Sequence, residues 1–121
     1  MRFMVMVKAT KESEAGVMPD EKMLAEMGKF NEELVKAGIM LAGEGLQPSS
    51  KGARVRFSGT RRTVVDGPFA ETKEQLLGFY VVDCQSLDEV HDIARDLARA
   101  NPGGAYEIRP ISYFAPGAKA Q

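Results

Sequence analysis

Two stretches of this chain concentrate side chains that could do chemistry. The first is Asp66-Gly-Pro-Phe-Ala-Glu-Thr-Lys-Glu74, which gathers Asp66, Glu71, Lys73 and Glu74 near the ring of Phe69. Carboxylates beside a lysine and an aromatic wall suit a small ligand, because the ring supplies apolar contact and the charges orient it. Asp66 is the candidate acid/base or anchoring carboxylate, and Gly67, Pro68, Phe69, Glu71 and Lys73 are the candidate ligand contacts. Asp-Gly-Pro is also turn chemistry, and composition alone favours reading the same residues as a tight exit from a hairpin. The second stretch is Ala42-Gly-Glu-Gly-Leu-Gln-Pro48, where two glycines flank Glu44 and let the backbone approach something closely. Glu44 is the second catalytic candidate, and a bulge or kink is the plain structural alternative. Two carboxylates in one cleft can push their pKa values apart and so divide acid and base roles.

Other chemistries lack their residues. The chain has one histidine, His91, and one cysteine, Cys84, with no metal-ligand spacing, so no metal site and no cofactor are expected. No Ser-His-Asp arrangement can be assembled. The glycines around Glu44 lack the Lys-Ser/Thr ending and the following helix of a phosphate loop. Cys84 ends the apolar run LLGFYVVDC and reads as a small hydrophobe, with Asp83 disfavouring a thiolate.

These segments must be positioned by the elements around them. Residues 2–8 and 76–82 are apolar on both alternating faces and predict strands buried on both sides. Residues 9–18 read as a polar loop. Pro19 opens a helix carrying Met23, Leu24, Met27, Phe30 and Leu34 on one stripe and closing at Gly38. Residues 39–46 form a short strand, and 54–58 with 62–65 form a hairpin in which 54–58 alternates as if half-buried. Ser86-Leu-Asp-Glu89 is a capping box for a second helix, which puts His91 at the surface and ends at Asn101-Pro-Gly-Gly104. Tyr106, Ile108 and Ile111 lie in a last strand. With the hairpin set aside, the order is β-α-β-β-α-β, the α+β ferredoxin-like unit. Two helices cover one sheet face only, so the apolar second face predicts a homodimer.

The 121 residues fit one domain, expected over 1–114, with a fraying tail at 115–121. At 13.2 kDa, area scaling has folding bury about two thirds of the unfolded surface. Nine bases and eight acids in residues 1–60, against seven and nine in 61–121, leave no basic stripe for nucleic acid. No apolar run of membrane-spanning length and no signal peptide are present, so a cytoplasmic protein is expected.

The strings GEGLQPSSKGARV and VVDGPFAETKEQLLGFYVVD resemble the DGPF-motif branch of the YCII-related proteins. FNEELVKAGIMLAGEGL, SLDEVHDIARDLA and YEIRPI extend the likeness over roughly residues 2–111. The resemblance implies a ferredoxin-like fold pairing into a dimeric α+β barrel. It also implies a gene association with extracytoplasmic-function sigma factors, and hence a non-catalytic regulatory module as the alternative to a small-molecule site. A His–Asp pair has been proposed as catalytic in the wider family. Here Asp66 matches, and the histidine partner is missing.

Overall fold

In the computed structural model the described residues are 1–69, 75–100 and 104–112. Glu71, Lys73, Glu74, the expected helix stop at 101–103 and the expected tail at 115–121 lie outside them. The elements run β1 (Arg2–Lys8), α1 (Lys11–Glu14), α2 (Glu21–Lys36), β2 (Met40–Gly45), a 3-10 turn (Ser49–Lys51), β3 (Ala53–Ser58), β4 (Arg61–Asp66), β5 (Leu76–Asp83), α3 (Leu87–Ala100) and β6 (Tyr106–Pro110).

The main sheet has the order β2-β5-β1-β6 with every neighbour antiparallel. That is the order of the ferredoxin-like unit, with β3 and β4 forming a separate two-stranded sheet. Phe3, Val5 and Val7 on β1 stand beside Tyr80 and Val82 on β5 and are buried. They pack with Leu34 of α2, Val90, Ile93 and Leu97 of α3, and Cys84. Met4, Met6, Phe79 and Val81 occupy the other face and are half-buried, beside Glu107 and Arg109 of β6.

Several local expectations need correction. The 9–18 stretch holds a short helix, because Thr10 and Ser13 cap it reciprocally. Serine at the third helical position does here what glutamate or glutamine usually does. Pro19 stands outside α2. Asp20 caps the helix instead, its Oδ1 accepting from the Met23 N–H at 2.7 Å. Gly38 closes α2 as expected, at φ +72°, with Ile39 N–H donating to the Leu34 carbonyl. At α3, Ser86 Oγ accepts from Glu89 N–H, while the Glu89 carboxylate reaches Gln85 N–H, one residue further back than a capping box requires. Ile111 lies beyond the end of β6. The hairpin is the larger departure: every residue of β3 and β4 is exposed, although 54–58 alternates like a half-buried strand. Among the described residues nothing covers its apolar side, where Val55 and Val64 pair in register and Phe57 is 70% exposed.

Candidate functional site

The two helices meet the sheet differently. α3 buries Val90, Ile93 and Leu97. On α2 only Leu34 is fully buried; Phe30 packs half-buried against the core, and Met27 is half-buried beside open space. The gap between α2, the 16–19 segment and the β2–β5 edge is a cavity of about 520 Å³. Met27 and Asn31 of α2, Met40, Gly43 and Gly45 of β2, Tyr80 of β5, and Val17, Met18 and Pro19 all line it. Glycine spacing permits this geometry. A Cβ on Gly43 would sit 3.0 Å from the Tyr80 ring, and one on Gly78 would sit 2.7 Å from the Glu44 carbonyl oxygen. Gly43 on β2 and Gly78 on β5 therefore let the edge strand lie against the Tyr80 ring and the β5 backbone.

Polar chemistry in the cavity centres on Tyr80 and Asn31. Burial pushes the Tyr80 phenol above its usual 10.0, with a hydrogen bond from Asn31 acting the other way, so the hydroxyl is protonated at neutral pH. The Asn31 Oδ1 is buried without a hydrogen-bond partner. Glu44 also borders the cavity. Register sets Glu44 opposite Phe79, however, on the sheet face away from the helices.

The Asp66–Phe69 turn is built next to this cavity but not into its wall. The Gly67–Pro68 peptide is cis. Gly67 N–H donates to the Gly52 carbonyl at 3.0 Å, and Phe69 N–H donates to Ser49 Oγ at 3.1 Å. Ser49 in turn donates both its N–H, at 3.0 Å, and its hydroxyl to the Glu14 carboxylate. A Cβ on Gly67 would run into the Ser49 carbonyl, so only glycine fits. The Arg54 guanidinium lies 4.0 Å over the Phe69 ring. Glu14 and Ser49 directly follow Ser13 and Pro48, which line the cavity. The clasp thus joins the turn to the cavity's rim.

Asp66 and Glu44 belong to different sheets. Asp66 is exposed at the base of the hairpin, paired in register with Ala53. No hydrogen bond or ion pair joins it to Glu44 among the described residues. Pro68 is exposed, and Gly67 and Phe69 are half-buried in the clasp. Sequence reasoning passed over Asn31, Tyr80, Met18, Glu14 and Ser49. Asn31 carried a readable signal: it falls four residues after Met27, a polar residue on an apolar stripe. His91 is exposed on α3. Cys84 is buried, and burial first, then Glu89 and Asp83, push its thiol upward, which suits a packing role. No cluster of three or more metal-ligating side chains occurs among the described residues. None of their helices is long and apolar enough to cross a membrane.

The sequence profile of the YCII-related domain matches residues 1–115. The chain belongs to the YCII-related family. A relative, an uncharacterised protein of Rhizobium meliloti (strain 1021), is 48% identical over 99 residues, 81% of this chain and 80% of that protein. Among solved structures, the 5-chloro-2-hydroxyhydroquinone dehydrochlorinase of Burkholderia phenoliruptrix AC1100, in complex with 2,5-dihydroxybenzoquinone, superposes with a TM-score of 0.50. The match covers 92% of this chain and 93% of that one at 16% identity, a likeness of fold.

Proposed function

We propose that this YCII-related chain, read as a member of the DGPF branch, binds a small molecule in the cavity between α2 and the β2–β5 edge. The observation that carries the reading is the cavity itself. Its 520 Å³ falls in the range of small-molecule sites, and α2 leaves it open while α3 packs tightly on the same sheet. The neighbouring dehydrochlorinase holds a small ring compound on this fold, which fits the reading. The 66–69 turn serves as the scaffold of the rim, held by Ser49 and Glu14, with Phe69 as a ligand contact there; Glu71 and Lys73, a few residues on in the chain, are kept as candidate contacts.

The working unit in this reading is a cytoplasmic homodimer. A second copy of the sheet would cover Met4, Met6, Phe79 and Val81. Because Asp66 and Glu44 are anchored on separate sheets, acid–base cooperation between them is proposed only across the dimer. A second reading, a non-catalytic module partnering a sigma factor, draws on the hairpin. Its exposed Val55, Phe57 and Val64 adjoin four arginines, at 54, 56, 61 and 62, and one acid, Asp66.

Two measurements test these readings. A small-molecule screen by thermal shift should yield ligands whose binding is abolished in Met27→Trp, which fills the cavity. Unchanged binding in that variant removes the site. Light scattering at micromolar concentration should give twice 13.2 kDa. A monomer that captures a co-expressed sigma factor through the hairpin would replace the first reading with the second.

A further inference from the structure

The cavity walls also select a ligand class, an inference that rests on the cavity reading above. Among the described lining residues there is no lysine, arginine or histidine, and the single carboxylate is that of Glu44. Register directs Glu44 to the opposite sheet face, while the cavity lies on the Tyr80 side. The interior is instead made largely of thioethers, rings and an aliphatic side chain: Met18, Met27, Met40, Tyr80, Tyr106 and Leu77. An ionised ligand entering such walls gives up its hydration and meets no opposite charge. An apolar body meets soft methionine side chains that adapt to its shape.

One polar feature fixes orientation. The Asn31 carboxamide lies beside the Tyr80 hydroxyl, with its oxygen buried and unpartnered. A carboxamide offers an acceptor at one end and a donor at the other. Tyr80 engages one end and leaves the other for a ligand. A hydroxyl group both donates and accepts, so it complements either end. We infer that the cavity takes an uncharged, largely apolar molecule bearing a hydroxyl group, recognised by the Asn31 carboxamide and the Tyr80 hydroxyl.

The test is calorimetry on the full chain at pH 7 with three probes of one shape: 4-ethylphenol, its methyl ether, and 4-ethylbenzoate. The phenol should bind at least about tenfold more tightly than either of the others, because the ether cannot donate and the benzoate is ionised. Asn31→Leu should bring the phenol down to the ether's affinity. If that variant does not fold, Tyr80→Phe makes the same comparison. Equal or tighter benzoate binding overturns the inference and leaves the cavity reading standing. Equal binding of phenol and ether overturns the hydroxyl recognition. Saturation by none of the three removes the inference and the cavity reading together.

Discussion

The two helices of this domain lie on one sheet and do different jobs. α3 presents Val90, Ile93 and Leu97, all buried, to Phe3, Val5 and Val82. α2 presents a comparable stripe but fully buries only Leu34, and its Met27 borders the cavity. The difference lies in the sheet beneath them. α3 packs Val90 and Ile93 into the core beside Phe3, Val5 and Val82, and its Leu97 reaches the cavity wall, whereas β2 brings Gly43, pressed against the Tyr80 ring, and Gly45, where a side chain would meet nothing. A stripe of apolar residues at helical spacing therefore does not by itself mean core. What the facing strand supplies decides whether the stripe packs or lines a site.

Mutations can break this comparison. On the packed side, Phe3→Ala should cost about 3–5 kcal/mol in urea denaturation, because a nearly fully buried ring leaves a cavity that cannot collapse. Gly67→Ala comes next, at about 1–3 kcal/mol, since a new methyl group must displace the Ser49 carbonyl. Glu14→Gln should cost about 1–2 kcal/mol by weakening the charge-assisted bonds to Ser49. On the open side, Met27→Ala should cost less than about 1 kcal/mol, because little packing is lost. A large loss there would mean that α2 is packed like α3.

A pH dependence sharpens the same contrast. Burial raises both the Cys84 thiol, from 9.0, and the Tyr80 phenol, from 10.0. Above about pH 9 the unfolded chain releases protons that the native state keeps, so stability should be flat below pH 9 and fall above it. Cys84→Ala should remove the first part of that fall in urea titrations at pH 7.5 and pH 10. A fall of the same size in the variant would mean that Cys84 is not shielded.

Much of the fold was legible in the sequence because its signals are local. Double-faced apolar strands, the Gly38 stop and the Ser86 cap fix β1, β5, α2 and α3, and their order fixes the ferredoxin-like unit. The site was less legible. Asp66 and Glu44 stand out by residue type, yet which sheet each joins depends on long-range pairing that spacing does not encode. Tyr80 and Asn31 are ordinary residues in ordinary elements. They meet at a cavity where Gly43 on a third element lets the edge strand come close to the Tyr80 ring. Glu14 stands 35 residues from Ser49 in the chain, and no local pattern announces their contact.

The central claim is that the open side of α2 is a binding site, and the chain carries its own reporters. Met18, Met27 and Met40 line the cavity, while Met4 and Met6 lie on the opposite sheet face. Titrating methyl-labelled protein with 4-ethylphenol and following the methionine methyl resonances is the most direct measurement. The expected result is saturable shifts at Met18, Met27 and Met40, with Met4 and Met6 unmoved. Shifts confined to Met4 and Met6, or none that saturate, would contradict the account.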